Sequence, residues 1–153
     1  MMKTASEVLS ALQGKTLVTA ESLTGGGIGA VLTAVPGASR VYKGGIISYT
    51  DTVKREVLGV PGAYLATFGA VSAPVAEAMA VGARQILQAD IAVSVTGLAG
   101  PDGDEYGNPV GTVFIGYADA YGSLAREYHF SGDRESVRNQ TIRTALALVL
   151  EHA

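Results

Sequence analysis

The stretch TLVTAESLTGGGIGAVLTA, residues 16–34, contains a short β-type segment, a glycine-rich loop and an apolar helical segment in succession. Its first part, Thr16–Ala20, is rich in β-branched and apolar residues and predicts a strand. Its last part has apolar residues at helical spacing and predicts a helix from Thr24 to Ala34 that stops before Pro36. A strand that passes through a glycine loop into a helix is typical of α/β folds.

The rest of the chain repeats this alternation, with Gly- or Pro-containing loops between the elements. The predicted helices are Ala5–Leu12, Thr52–Leu58, Pro61–Phe68, Pro74–Gln88 and Arg134–Glu151, and the predicted strands are Gly45–Tyr49, a brief Ala70–Ser72, Ile91–Thr96, Thr112–Ala118 and Leu124–Phe130. Asp119–Ser123 joins the last two strands as a hairpin. Connections through helices favour parallel strands and a hairpin forces one antiparallel pair. We therefore expect a three-layer α/β/α sandwich with a mixed sheet.

The length of 153 residues is that of one ordinary domain, so residues 1–153 are expected to form a single unit. Charged residues make up 16% of the chain, against about 25% in a typical soluble domain. Together with a mean hydropathy of +0.28, this low polarity suggests that a homo-oligomer buries part of the surface. A composition rich in Ala and Gly explains the same hydropathy without any apolar patch.

Charge and residue types exclude several classes of function. The net charge is −3 and the basic residues are scattered, so no basic stripe indicates nucleic-acid binding. The chain has no cysteine, which excludes disulfides, thiolate catalysis and zinc–thiolate sites. The amino-terminal residues lack a signal-peptide core, and no apolar run approaches the ~20 residues that span a bilayer. We expect a cytoplasmic protein without a membrane partner.

The loop between the first strand and its helix is the first candidate site. Glycines near a helix start cost about 1 kcal/mol each relative to alanine, so they indicate a close approach of backbone to another group. Backbone N–H groups there favour an anion, either a phosphate or the oxyanion of acyl transfer, and Ser22 lies beside them. In the alternative interpretation, Ser22 or Thr24 caps the helix and the glycines serve packing.

A second alternative for this loop is a dinucleotide-binding fingerprint. Gly25-x-Gly27-x-x-Ala30 has the required glycine spacing, and Asp51 at the end of the next strand is the candidate ribose-binding acid. The match is weak because Glu21–Thr24 separate the strand from the glycines.

The second candidate site is the segment Ile46–Lys54, where a predicted strand ends at Tyr49 and Lys54 follows one short turn later. A lysine acts as a base when burial favours its neutral form. The two histidines, His129 in a predicted strand and His152 near the last residue, are poor candidates for a Ser-His-Asp triad. Their scarcity favours a Ser–Lys pair of Ser22 and Lys54, although Lys54 alone could equally be a solvated helix residue.

The third candidate site combines Thr96 and the loop 97–109 with the start of the last helix. Thr96 could hold a substrate group or a water, or could bond within the loop. Arg134 and Arg138 lie four residues apart on one helix face and could clamp a phosphate, or pair with neighbouring acids. The acids of the loop, at positions 102, 104 and 105, suggest a cation loop, but their spacing departs from the EF-hand pattern. We therefore expect no metal.

Several ordered blocks together carry a family resemblance. They are Thr19–Gly26, Gly69–Ser72, Thr96–Gly103, Pro109–Val113 and Phe130–Arg134. At these separations the chain resembles the carboxy-terminal domain of the CinA competence/damage-inducible family over nearly its whole length. Leu23 stands where cysteine is expected most often, and the family's additional amino-terminal domain is not part of this sequence, as in a stand-alone deamidase.

The resemblance implies a nicotinamide-nucleotide amidohydrolase, which converts nicotinamide mononucleotide and water to nicotinate mononucleotide and ammonia without a cofactor. It places the Ser–Lys pair on Ser22 and Lys54, with Tyr49 and Thr96 in support. The residues expected to contact the nucleotide are Glu21, Thr24, Gly25, Gly26, Gly27, Gly97, Arg134 and Arg138. The alternative is a module of the same fold that binds a nucleotide without turnover.

Overall fold

A computed structural model describes all residues from 1 to 153. The helices are α1 Met2–Ala11, α2 Gly27–Thr33, α3 Asp51–Glu56, α4 Gly62–Phe68, α5 Ala73–Ile86 and α6 Arg134–His152, with a 3₁₀ turn at Ala38–Arg40. The strands are β1 Leu17–Glu21, β2 Tyr42–Ile47, β3 Ile91–Gly97, β4 Thr112–Asp119 and β5 Gly122–His129. This is the expected α/β fold with a mixed sheet.

The five strands form one sheet in the order β2-β1-β3-β4-β5. β1 lies parallel to both β2 and β3, while β4 runs antiparallel to β3 and β5 antiparallel to β4. The central strands β1 and β3 are buried on both faces, which explains why neither shows a strict alternation of apolar and polar residues. β5 is an edge strand whose residues are mostly exposed or half-buried.

Helices cover both faces of the sheet and create two cores. On one face, α1, α2 and α6 pack on alternate residues of β1 and β3, such as Leu17 and Val93. On the other face, α4 and α5 pack on the intervening residues, such as Val18 and Ala92. The side chains of a strand alternate between faces, so the two cores share the same strands. This arrangement is a three-layer sandwich.

Three predicted boundaries are corrected by the backbone. β2 begins at Tyr42 rather than Gly45, because Tyr42 and Gly44 already pair with Leu17 and Val18 of β1. The hairpin loop is only Ala120-Tyr121, since Asp119 pairs with Gly122. Ala70–Ser72 forms bends rather than a strand.

The fourth correction concerns α2, which begins at Gly27 rather than Thr24. Gly25 and Gly26 have φ values of 59° and 100°, a left-handed conformation that interrupts a helix and favours glycine. The residues before them form turns instead, so the loop that carries Ser22 is longer than the sequence pattern indicates. No helix has the length and apolar character needed to cross a membrane.

Candidate active site

The candidate site lies at the carboxyl ends of β1, β2 and β3. The chain leaves β1 at Ser22, leaves β2 at Ser48 and leaves β3 after Gly97, so all three loops meet at one edge of the sheet. Hydrogen bonds join them: the Ser22 N–H donates to the Val95 carbonyl, and the Ser48 N–H donates to the Glu21 carbonyl. Open α/β sheets bind ligands at such an edge.

Lys54 contacts Ser22 at this edge. Its Nζ lies 2.9 Å from the Ser22 Oγ and 2.8 Å from the Ser48 carbonyl oxygen, with the Tyr49 carbonyl oxygen at 3.4 Å. Thr50 caps α3 by accepting a hydrogen bond from the Val53 N–H, which fixes the short helix that carries the lysine. Lys54 is 1% exposed and Ser22 is 6% exposed. The structure therefore brings two predicted residues, 32 positions apart, into direct contact.

The burial of Lys54 increases the fraction of its amine that is uncharged. Burial lowers the pKa of Lys54 from 10.5 to about 8, and the nearby Asp51 carboxylate opposes that shift. The carbonyl oxygens of Ser48 and Tyr49 can only accept hydrogen bonds, so a neutral amine directs its two N–H groups to them. Its lone pair then faces the Ser22 hydroxyl, as a general base requires.

The backbone donors beside Ser22 differ from the expected ones. The N–H groups of Gly25 and Gly27 close turns onto the carbonyls of Ser22 and Thr24, at 3.1 and 3.0 Å. The N–H groups of Leu23, Thr24 and Gly26 have no hydrogen-bond partner within the protein. Of the three glycines, only Gly26 therefore keeps a donor for a ligand. The two residues that directly follow Ser22 supply the others, a feature that sequence reasoning missed.

Glu21 occupies the start of α2. Its carboxylate accepts hydrogen bonds from the Thr24 hydroxyl at 2.6 Å, the Ile28 N–H at 2.8 Å and the Gly29 N–H at 3.0 Å, and the residue is only 2% exposed. The anion at this helix start thus belongs to the protein itself. Glu21 and the Thr24 hydroxyl hold the loop rather than a ligand.

The same observation contradicts the dinucleotide interpretation. A pyrophosphate would need the helix N–H groups that Glu21 already binds. The sheet also lacks a second parallel half, since β4 and β5 are antiparallel to their neighbours.

The two arginines of α6 lie in different environments. Arg138 donates to the carbonyl oxygens of Leu23 at 2.9 Å and Thr24 at 3.1 Å, so its guanidinium binds the loop of Ser22. Arg134 donates to the Gly100 carbonyl at 2.7 Å and the Tyr49 hydroxyl at 3.2 Å, at the surface. Only Arg134 is positioned at an open pocket.

That pocket has a volume of about 320 Å³ and adjoins the Ser22 loop. Its lining residues are Leu23, Tyr49, Gly97, Leu98, Ala99, Gly100, Pro101, Asp102 and Arg134. Tyr49 is 59% exposed, so its ring forms a wall of the pocket while its carbonyl contacts Lys54. Gly97 is required here because a Cβ would meet the Val113 side chain at 2.7 Å.

The remaining candidates lie outside the contact with Lys54. Thr96 is 1% exposed and its hydroxyl donates to the Ala70 carbonyl at 2.9 Å, so it ties the segment before α5 to β3. The Asp104 carboxylate accepts hydrogen bonds from Tyr106 and Asn108 inside its own loop. No group of acids or histidines has the arrangement of a metal site. His129 faces Glu127, and neither histidine bonds to Ser22.

A larger groove of about 700 Å³ lies along α5 and the segment between α3 and α4. Seven of its 15 lining residues are hydrophobic, and Glu56 and Glu77 are among the others. Its lining includes Ser123, whose hydroxyl donates to the Glu77 carboxylate at 2.7 Å, but it includes no lysine. The groove therefore lacks the buried Ser–Lys pair, and its size does not make it the chemical centre. The smaller pocket adjoins that pair, because it is lined by Leu23, which follows Ser22, and by Tyr49, whose carbonyl contacts Lys54.

Comparison with known proteins places the chain in a family. The family model described as CinA C-terminal domain matches residues 1–153. A CinA-like protein of Geobacter metallireducens is 50% identical over 133 residues, which are 87% of this chain and 32% of that protein. A CinA-like protein of Geobacter sulfurreducens is 48% identical over 88% of the chain and 32% of its own length. The chain spans about a third of the length of these curated relatives.

Two solved structures have the same fold. The competence damage-inducible protein A from Klebsiella pneumoniae superposes with a TM-score of 0.95 at 38% identity, covering 98% of this chain and 94% of that one. The competence/damage inducible protein from Agrobacterium tumefaciens gives a TM-score of 0.94 at 38% identity, over 98% and 93% of the two chains. The match of the family model over the whole chain, with relatives of this identity, shows that the protein belongs to the CinA family as a CinA C-terminal domain.

Proposed function

We propose that this domain hydrolyses the carboxamide of nicotinamide mononucleotide, giving nicotinate mononucleotide and ammonia. The observation that carries the proposal is the buried contact between the Ser22 Oγ and the Lys54 Nζ. A serine hydroxyl is a weak nucleophile until a base removes its proton. Burial lowers the pKa of Lys54 to about 8, so a useful fraction of the amine is neutral near physiological pH.

The first half of the reaction forms an acyl enzyme. Neutral Lys54 takes the proton of the Ser22 hydroxyl as Oγ forms a bond to the carboxamide carbon, and the carbonyl π electrons move to the oxygen. The N–H groups of Leu23 and Thr24 are unpaired and can bind that oxyanion. The C–N bond then breaks, and the Lys54 ammonium gives its proton to the departing nitrogen, which leaves as ammonia.

The second half regenerates the enzyme. Lys54, again neutral, removes a proton from a water molecule that attacks the ester carbon. The bond to the Ser22 Oγ breaks, Oγ regains a proton from Lys54, and the carboxylic acid is released. All atoms are supplied by the substrate and water, so the sequence of steps needs no cofactor.

The pocket beside Ser22 has the character of a nucleotide site. Arg134 at its rim retains N–H groups for a phosphate, and charge-assisted hydrogen bonds from arginine suit phosphate oxygens. The exposed Tyr49 ring offers a flat apolar face to a planar base. The positive charge of a pyridinium ring makes its carboxamide more electrophilic and would be tolerated beside Asp102, another lining residue.

The experiment is an ammonia-release assay with nicotinamide mononucleotide, nicotinamide riboside and nicotinamide. Wild-type protein is expected to release ammonia fastest from the mononucleotide, and Ser22→Ala and Lys54→Ala are expected to release none above background. Ser48→Ala is the matched control, because only the backbone carbonyl of Ser48 contacts Lys54. Binding of the mononucleotide by calorimetry without ammonia release would favour a non-catalytic nucleotide-binding module.

A further inference from the structure

We propose that Arg138 is a positioning residue, which fixes the Leu23–Thr24 peptide so that the Thr24 N–H faces the oxyanion formed on Ser22. The inference rests on the proposed function, in which Ser22 is the nucleophile. It assigns to this arginine a role in orienting the backbone rather than in binding phosphate.

The contacts of Arg138 are with the backbone alone. Its Nε donates to the Leu23 carbonyl and its Nη2 donates to the Thr24 carbonyl, at 2.9 and 3.1 Å. No carboxylate lies within ion-pair distance of it. Two N–H groups of the rigid, planar guanidinium therefore bind the carbonyls of two successive peptide groups. The flexible ammonium of a lysine would not fix these two carbonyls in the same relative orientation.

The geometry of the peptide bond turns this contact into an orientation. In a planar trans peptide the C=O and the following N–H point in opposite directions. The Leu23 carbonyl points to Arg138 on α6, so the Thr24 N–H of the same peptide points away from α6. α6 packs in the core on one face of the sheet, whereas Leu58 and Val60, which follow Lys54, belong to the core on the opposite face. We infer that the Thr24 N–H faces the side of the sheet that carries Lys54.

A second contact holds the same residue. The Thr24 hydroxyl donates to the Glu21 carboxylate at 2.6 Å, and Glu21 is itself fixed by the first turn of α2. Thr24 is thus held at three points: its side chain binds Glu21, and Arg138 binds both the Leu23 carbonyl before its N–H and its own carbonyl after it. A cation on a carbonyl oxygen also polarises the peptide and strengthens the adjacent N–H as a donor. Such preorganisation is what an oxyanion site requires.

The test compares Arg138→Met and Arg138→Lys with Arg143→Met. Arg143 lies on the same helix, is exposed and makes no side-chain hydrogen bond or ion pair. The first readout is the rate of Ser22 phosphonylation by a fluorophosphonate, followed by mass spectrometry. This reaction needs the nucleophile and the oxyanion donors but no nucleotide. We expect at least a tenfold slower rate for Arg138→Met, a smaller loss for Arg138→Lys, and no change for Arg143→Met.

The second readout separates positioning from phosphate binding. For a positioning residue, kcat falls at least tenfold with KM changed less than threefold, and the mononucleotide and the riboside lose the same factor. A loss confined to the mononucleotide, or seen only in KM, would overturn the inference and make Arg138 a phosphate ligand. The pH midpoint of labelling stays near that of wild type, because Lys54 does not contact Arg138.

The outcomes for the inference and for the proposed function are distinct. If Ser22 reacts with the probe but no pyridine nucleotide releases ammonia, the proposed function fails while the labelling rates still decide the role of Arg138. Equal labelling of wild type and both Arg138 variants overturns the inference, as does a wild-type Ser22 that never reacts. Circular dichroism of each variant checks the fold, and Arg138→Lys provides a milder variant should Arg138→Met be unstable.

Discussion

The Lys54 Nζ lies 2.9 Å from the Ser22 Oγ, in a position where both side chains are almost completely buried. Ser22 directly follows β1 and Lys54 lies in α3, which follows β2, and the carboxyl ends of these two parallel strands meet at one edge of the sheet. A buried ammonium without a carboxylate partner is costly, so a protein that retains one has a use for the neutral amine. The chemical and thermodynamic consequences of this pair can be measured separately.

The activity should depend on the protonation of Lys54. Burial lowers its pKa to about 8, so about one tenth of the amine is neutral at pH 7 and about half at pH 8. Since the neutral form is the base, kcat/KM for ammonia release is expected to rise with pH and level off above about pH 9. Lys54→Arg, whose guanidinium stays protonated, should be inactive throughout. A wild-type profile that is flat between pH 6 and 9.5 would contradict the assignment.

The lowered pKa of Lys54 should also make the free energy of unfolding depend on pH. Below pH 8 Lys54 is charged in both states, and the folded state carries the full cost of the buried charge. Between about 8 and 10.5 the folded protein loses a proton that the unfolded chain keeps, so the stability of the wild type rises with pH. The gain over Lys54→Met, which lacks this titration, should be about 2 to 3 kcal/mol from pH 7 to pH 10.

Urea unfolding of the two proteins at several pH values measures that difference. Subtracting the variant removes the titration of all other groups that both proteins share. A difference between the two free energies of unfolding that falls as pH rises, or stays constant, would show that Lys54 keeps its ordinary pKa in the folded state.

Arg134 should determine the preference for a phosphorylated substrate. Losing a charge-assisted hydrogen bond costs about 1.5–3 kcal/mol, so Arg134→Ala is expected to lower kcat/KM for the mononucleotide by about 10- to 150-fold. The value for the riboside, which has no phosphate, should change less than threefold. Arg143→Ala serves as the matched control on the same helix. Equal losses on both substrates would assign Arg134 to the loop around Gly100 instead.

The segment that carries Lys54 depends on Gly82 of α5. A Cβ at this position would lie 2.0 Å from the Leu58 carbonyl oxygen, which is backbone and cannot rotate away. Gly82→Ala is therefore expected to destabilise the protein by about 1–3 kcal/mol or more, although alanine favours a helix by about 1 kcal/mol. Gly62→Ala is the control, because its Cβ would meet only the Arg55 side chain at 3.5 Å. Thermal unfolding of both variants tests this contrast.

Periodicity predicted most of the fold because long apolar patterns dominate it. The buried strand β3 and the helices α5 and α6 lie within two residues of their predicted bounds. Local signals failed where pairing or turns decide the structure. The start of β2 contains Gly44, which resembles a loop until its pairing with β1 is known. The turns at Gly25 and Gly26 likewise make α2 begin at Gly27, a boundary that the helical spacing of apolar residues does not predict.

The sequence predicted the two central residues of the candidate site but not the hydrogen bonds that hold the loop around them. Few histidines and a lysine after a strand favoured the pair Ser22 and Lys54, and the structure brings these two together. The hydrogen bond from Arg138 to the Leu23 carbonyl joins residues 115 positions apart, and no local sequence pattern predicts it. The position of Glu21 before a helix predicts that its carboxylate binds N–H groups at the helix start. Which N–H groups donate to it, those of Ile28 and Gly29, depends on the geometry of the intervening turns.

The most direct test of the Ser–Lys mechanism is the mass of the intact protein after acid quenching of a reaction with nicotinamide mononucleotide. If Ser22 is the nucleophile, the intact protein gains the mass of a nicotinoyl-nucleotide ester within the first turnover, as ammonia is released, and digestion locates the ester on a peptide containing Ser22. Ser22→Ala should show neither the ester nor ammonia, whereas Ser48→Ala should show both. Ammonia released at the wild-type rate by Ser22→Ala, with no ester on wild-type Ser22 at any time, would contradict the Ser–Lys mechanism.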